Sequence, residues 1–213
     1  MKTSRSLSCL IVALAVVLPL RAAEPLYYND FGTAALDKTP ADFMIMAGGF
    51  EVKENAEDGK YLELPGEPLD TFGLLFGPSV KDDVSASARF FGTKTGRKYP
   101  AFGVSLNGVG GYRLQVSPAK NALEFFKGDE ARLSVPFTWT PGVWTTLLIT
   151  VRKAGAGWVV EGKAWPSGTP EPAKPLITLE ESTAPIAGRA GIWGSPYAGT
   201  PIRFGDLLVA PTH

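Results

Sequence analysis

Catalysis draws on few kinds of side chain, and this chain is short of most of them. It holds one histidine, His213, its last residue, and one cysteine, Cys9. A terminal histidine frays and cannot hold a general base in register with a nucleophile. Ser-His-Asp, Cys-His and histidine–zinc arrangements as ordinarily built therefore find no support. Carboxylates are the remaining acids and bases. Cleaving a glycosidic bond takes two of them flanking that bond, one protonated and one ionised. The acidic pairs are Glu51/Glu54, Glu57-Asp58, Asp82-Asp83, Asp129-Glu130 and Glu180-Glu181. Each sits in or beside a turn or at a strand end, and none places alternate carboxylates on one strand face. Solvated turn charge is the expected role of each. No Gly-rich loop joins a strand to a helix, so nucleotide binding is unsupported too. Gly108-Val-Gly-Gly111 reads as a hairpin turn.

What the chain does carry is aromatic and polar side chains at period-two spacing. A sugar ring has an apolar face that stacks on a flat indole or phenol, and hydroxyls that take hydrogen bonds from Arg, Asn, Gln and carboxylates. Trp165 shares a strand face with Glu161 and Lys163. Arg89, Arg113 and Gln115 face away from the core on strands expected to neighbour one another. Arg89, Arg113, Gln115, Glu161, Lys163 and Trp165 together predict a polar groove with one aromatic platform. An ordinary solvated sheet face is the alternative. Trp144 and Trp158 fall at core-facing or strand-entry positions, and Trp193 at a half-buried one. Trp139, Tyr99, Tyr112 and Tyr197 fall near loops or strand ends.

The elements that would position these groups are strands. Val84-Ser-Ala-Ser-Ala-Arg-Phe-Phe91, Tyr112-Arg-Leu-Gln-Val116, Trp144 to Arg152 and Trp158 to Trp165 alternate with period two, so one face is buried and the other sees solvent or ligand. Further strands are predicted near 26–31, 50–54, 60–64, 71–76, 101–106, 122–127, 131–135, 175–180, 188–193 and 202–209. Turns fit between them at Glu57-Asp58-Gly59, Asn107-Gly108, Gly110-Gly111, Pro118-Ala-Lys-Asn121, Gly128-Asp129, Pro141-Gly142 and Gly155-Ala-Gly157. No stretch sustains helical periodicity beyond two turns. About fourteen short strands punctuated by turns predict an all-β, two-sheet antiparallel sandwich.

The N-terminus bounds compartment and charge. Lys2 and Arg5 precede an apolar run from Cys9 to Leu20, and the small residues Ala22 and Ala23 follow. That order predicts a signal peptide over residues 1–23 and a secreted or periplasmic product, residues 24–213, forming one domain. The apolar run is about 12 residues, short of the ~20 that span a bilayer. Cleavage after Ala22 or after Ala23 both fit, because Arg21 stands close to the cut. Cys9 precedes the apolar run rather than following it, which argues against a lipoprotein. Its removal leaves no cysteine in the mature chain, which inclines toward a bacterial exterior. Basic and acidic residues number 21 each, and three of the basic ones lie in residues 1–23, leaving 18 against 21. A slightly acidic chain without a basic tract gives no footprint for nucleic acid and none for a membrane surface.

Several segments resemble the concanavalin A-like lectin/glucanase superfamily, also called laminin-G-like jelly rolls. They are Gly111-Tyr-Arg-Leu-Gln-Val116, Leu123-Glu-Phe-Phe-Lys-Gly128, Pro141-Gly-Val-Trp-Thr-Thr-Leu-Leu-Ile-Thr-Val151, Trp158-Val-Val-Glu-Gly-Lys163, Gly188-Arg-Ala-Gly-Ile-Trp193 and Ile202-Arg-Phe-Gly-Asp-Leu-Leu-Val209. Tyr28-Asn-Asp-Phe31 resembles the first strand of that family. The resemblance implies a jelly roll with one concave sheet, on which members commonly bind carbohydrate and some cleave it. It implies a structural calcium near the first and last strands, where Asp30 and Asp206 stand, although Gly205 replaces the first acidic residue of the usual "F-D-D" ending. The Glu-x-Asp-x-Glu strand of the laminarinase-like hydrolases is missing. So are the Asn-Ser-Gly and Glu-x-Gln segments of keto-disaccharide hydrolases. The expected protein is a monomeric, lectin-like module that recognises a polysaccharide or glycoconjugate without cleaving it. A carbohydrate-active hydrolase or lyase of the same fold, and a cell-envelope interaction module without a sugar ligand, are the alternatives. Fold by itself does not choose among them.

Overall fold

The computed structural model describes residues 24–66 and 70–212. The expected signal peptide over residues 1–23, Cys9 within it, and His213 lie outside the described residues. Alternation becomes strand wherever it was strict. In Val84–Phe91 every odd position of the segment is buried and every even one is half-exposed. The fifteen strands are β1 (Tyr27–Asn29), β2 (Met44–Ala47), β3 (Glu51–Asn55), β4 (Gly59–Leu64), β5 (Phe72–Val80), β6 (Val84–Phe91), β7 (Ala101–Leu106), β8 (Tyr112–Ser117), β9 (Ala122–Lys127), β10 (Glu130–Pro136), β11 (Thr145–Ala154), β12 (Gly157–Pro166), β13 (Ile177–Glu181), β14 (Gly188–Ser195) and β15 (Ile202–Pro211). Fourteen fall where the sequence places them, and a single 3-10 turn, Pro118–Lys120, occupies one expected turn. The addition is β2, a short edge strand whose residues are all exposed.

All pairings are antiparallel. One sheet runs β13-β12-β11-β6-β15-β4-β3, with β1 also paired to β15; the other runs β10-β9-β8-β7-β14-β5-β2. The sheets pack face to face through aromatic rings. Phe90 of β6 stacks on Phe102 of β7 at 5.1 Å and 16°. Phe204 of β15 meets Phe90 edge-on at 5.5 Å and Phe50 at 5.8 Å, while Phe102 meets Trp139 at 5.6 Å. Buried Leu62, Val104, Leu114, Ile149, Val160 and Ile192 fill the space around them. Offset and edge-to-face rings suit the quadrupoles of aromatic pairs.

Three carboxylates depart from the sequence reading: Asp58 accepts from Trp144 Nε1 and Arg203, Asp82 accepts from Trp158 Nε1, and Glu181 departs furthest. Glu181, expected as solvated turn charge, ends β13 at 9% exposure. Lys127 Nζ of β9 lies 3.1 Å from one carboxylate oxygen, and Arg132 Nη1 of β10 lies 3.4 Å from the other. The salt bridges therefore tie the two sheets together at one end of the sandwich. Removing the carboxylate strands two cations, which for a buried pair costs about 3–5 kcal/mol. Because both cations are about a third exposed, solvent screening cuts that to about 2 kcal/mol. Glu181→Ala is therefore expected to lower the urea midpoint by that equivalent; an unchanged midpoint would remove the clamp from the account of stability.

Candidate functional site

Strand pairing separates the six residues expected to form one groove. Arg89 lies on β6 and Glu161, Lys163 and Trp165 on β12, both in the eight-stranded sheet. Arg113 and Gln115 lie on β8, in the seven-stranded sheet. All six face away from the core, but on opposite sides of the sandwich. The expectation that Arg89, Arg113 and Gln115 sit on neighbouring strands is corrected: β6 pairs with β11 and β15, and β8 with β7 and β9.

On the eight-stranded side the charges satisfy one another. Arg89 Nε lies 2.6 Å from Asp206 Oδ2, Arg152 pairs with Glu161 at 3.0 Å, and Lys163 with Glu171 at 2.5 Å. Arg89, Thr146 and Trp165 fall in one cross-strand row, with Gly205 beyond Arg89. Gly205 stands where the resembled ending has an acidic residue. A Cβ there would come 3.3 Å from the Arg89 guanidinium, so glycine leaves room for Arg89 to lie over the Trp144 ring at 5.0 Å. Trp144 Nε1 donates to Asp58 Oδ1 at 2.7 Å. Arg203 bonds the other Asp58 oxygen at 3.2 Å while stacked over Tyr61 and Phe91.

Partial burial by itself raises the Asp58 carboxyl. Hydrogen bonds from Asn55 and Trp144, with the Arg203 and Arg89 charges, outweigh it and hold the group below the usual carboxylate range. A carboxyl lowered on folding stabilises the fold above its unfolded value of about 4, and that stability is lost as pH falls through the lower folded-state value. Asp58→Asn should therefore be less stable than the parent at neutral pH and should lose less stability between about pH 4 and pH 2. Urea titrations at stepped pH check this, and parallel curves for the two proteins would refute it.

Asp30 and Asp206 are close enough for both to raise the Tyr28 phenol, after burial itself. Asp30 Oδ1 accepts from Gly32 N at 2.9 Å, and Asp206 is turned to Arg89. Among the described residues no group of three or more His, Cys, Asp or Glu gathers in a way that could hold a metal ion. So disposed, the two carboxylates do not fit the six to eight oxygens of a calcium site.

The seven-stranded side is built differently. Trp193 of β14 stands in register between Gly73 of β5 and Gly103 of β7. A Cβ on Gly73 would lie 2.3 Å from Trp193 Cε3, so the indole covers that glycine. Its Nε1 donates to Ser105 Oγ at 2.8 Å. Arg113 is held between two rings, 4.6 Å from the Phe126 centroid and 5.5 Å from that of Trp193. Its Nε is buried without an acceptor, and burial makes its guanidinium less ready to hold the proton, an effect the nearby Asp129 charge offsets only in part.

Gln115, two residues along β8, lies opposite Gly103 and Glu124. Its Nε2 donates to Ser117 Oγ at 3.0 Å. Glu124 is 4% exposed and bonded twice by Lys120, at 3.0 and 3.3 Å. Beside Gln115 opens a hollow of about 160 Å³ lined by Tyr99, Ser117, Lys120 and Tyr197. Two wider depressions at the sheet edges are shallow; one holds the ion-paired Glu181 beside Trp158, the other Lys53, paired with Asp37 and Glu51. The outer face of the seven-stranded sheet thus joins an aromatic platform, a cation whose Nε lacks an acceptor, an amide and a small, mainly apolar hollow edged by Ser117 and Lys120. Arg113 and Gln115 were legible as outward-facing. Trp193 was read as half-buried, as it is, but was not joined to Arg113; Phe126, Ser105 and Lys120 were passed over, and only the glycines opposite Trp193 could have signalled its place on this face.

No family model and no curated protein matches the sequence. Solved structures do match in fold. A carbohydrate-binding module from Bacillus subtilis aligns at TM-score 0.54 and 12% identity, over 79% of this chain and 95% of that one. A Bacillus subtilis protein of unknown function with a galectin-like fold aligns at 0.57 and 10%, over 90% and 97%. A family 131 β-glucanase catalytic domain from Podospora anserina aligns at 0.55 and 9%, again over 90% and 97%. The two antiparallel sheets, their order and these likenesses show that the chain has a two-sheet jelly-roll fold of the galectin-like kind.

Proposed function

We propose that this protein is an exported, noncatalytic module that binds a polysaccharide or glycoconjugate across the outer face of its seven-stranded sheet. The observation that carries the reading is Arg113, held between Phe126 and Trp193 with its Nε lacking an acceptor, next to Gln115 and a small hollow edged by Ser117 and Lys120. An indole or phenol offers a sugar its apolar face, and the guanidinium and amide take its hydroxyls. Solved proteins of like fold include carbohydrate-binding modules and glucanase catalytic domains, so the fold is neutral between binding and cleavage. Binding is favoured because Glu124, the carboxylate of β9 across from Gln115, is engaged by Lys120. Glycoside cleavage needs two carboxylates about 5–10 Å apart. The leader-like N-terminus supports export.

The test is affinity electrophoresis of residues 24–213 through a panel of soluble polysaccharides, with an assay for new reducing ends. Retardation on at least one polymer without new reducing ends is expected. No retardation on any would overturn the reading, and release of reducing ends would turn it to hydrolysis. A second reading, an envelope interaction module, is favoured by one feature. The edge strand β2 exposes Met44, Ile45 and Met46 at 51%, 39% and 46%. Under that reading a change at Ile45, and none at Trp193, would abolish partner capture.

A further inference from the structure

We infer that the glycan is acidic, carrying a uronate carboxylate or a sulfate ester that seats on Arg113; this rests on the binding face proposed above. Most arginines among the described residues have an anion or a carbonyl. Arg89 has Asp206, Arg132 has Glu181, Arg152 has Glu161 and Arg203 has Asp58, while Arg189 donates to the carbonyls of Gly77 and Asp42. Arg113 is the partly buried exception among the described residues. It is stacked and desolvated, and its buried Nε has no acceptor. Leaving such a group unmet costs more than a neutral hydroxyl recovers. A carboxylate or sulfate meets the guanidinium fork with paired, charge-assisted hydrogen bonds.

The surroundings have the matching sign. Glu124, the carboxylate nearest Gln115 across the strands, is neutralised by Lys120. Asp129 is felt by Arg113 but makes no ion pair with it. The hollow beyond Gln115 is bordered by Tyr99, whose ring carries Lys94 Nζ at 5.8 Å. Lys94, Arg97 and Lys98 all lie on the exposed turn closed by the Thr95–Lys98 bridge. These exposed cations are screened by salt and serve chiefly to attract a polyanion, whereas Arg113 fixes the place of one charged group. On the contrasting face of the eight-stranded sheet Arg89, Arg152 and Arg203 are each already ion-paired.

The experiment compares retention of residues 24–213 on polygalacturonate, on its carboxyl-reduced form, on dextran sulfate and on dextran, at 0.15 M salt. The expected result is retention on one charged polymer at least about tenfold stronger than on its neutral counterpart. Which charged polymer retains the protein distinguishes carboxylate from sulfate. Arg113→Gln should erase that preference, and Arg113→Lys, which keeps the charge but not the fork, should keep part of it. Melting temperatures of both variants report whether they fold; a misfolded Gln variant leaves the Lys variant and the polymer comparison to decide. Equal or stronger retention on the neutral member, or a preference that survives Arg113→Gln, overturns the acidic ligand and leaves glycan binding standing. Retention on none of the four, nor on any polymer of the wider panel, overturns both.

Discussion

Trp193→Ala is expected to weaken binding to any retained polysaccharide about 30-fold, the equivalent of about 2 kcal/mol for a central aromatic anchor. The indole is the broadest apolar surface on the proposed face, and it also forms one wall of the slot that holds Arg113. Truncation removes both the platform and that wall. Trp144→Ala is the matched control. Trp144 is likewise half-buried, stacks against an arginine and donates one hydrogen bond, but it lies on the opposite side of the sandwich. It should cost stability and leave binding unchanged. Isothermal titration with the best polymer of the panel reads both. Equal losses in the two variants would mean that destabilisation, not the face, sets binding, and a loss confined to Trp144→Ala would move the site to the other sheet.

The second large effect concerns the core. Phe90→Ala should destabilise the fold by about 3–5 kcal/mol, the range for truncating a buried phenylalanine. For a domain of this size that lowers Tm by roughly 10 °C or more. Phe90 is fully buried, stacks on Phe102 across the two sheets and meets Phe204 on its own sheet. Phe90→Leu should recover more than half of the loss, because it keeps most of the volume while forfeiting the ring contact. Chemical denaturation of the three proteins gives the comparison. A loss below about 1 kcal/mol for the alanine variant would mean that the ring ladder is not what joins the sheets.

The strands were readable because their alternation is local, and so were the turns, where Gly59, Gly108, Gly128, Gly142 and Gly155 take positive φ. β2 escaped notice because Met44-Ile-Met-Ala47 is a four-residue edge strand with no buried side and so no alternation. The site was less legible than the fold. Period two tells which residues share a strand face, but not which sheet a strand joins; that is set by pairing between distant segments. Arg89 and Arg113 have the same outward signature and face opposite ways across the sandwich. Glu181 looked like a charge at a strand end because its partners, Lys127 and Arg132, arrive from the other sheet. Arg113's missing acceptor has no counterpart in sequence at all, since a vacancy is visible only when every neighbour has been placed.

Gly73 and Gly103 on either side of Trp193 bear on how this surface could be re-engineered. At both positions an added methyl meets fixed atoms: the indole itself at 2.3 Å from Gly73, and the Leu114 carbonyl at 2.5 Å from Gly103. The platform therefore cannot be tilted or raised by degrees. Libraries that vary residues 73 and 103 should return two populations, glycine and failure, while graded changes of selectivity should come from Tyr99, Gln115 and Lys120 around the hollow. The backbone, more than any side chain, sets the level of the floor.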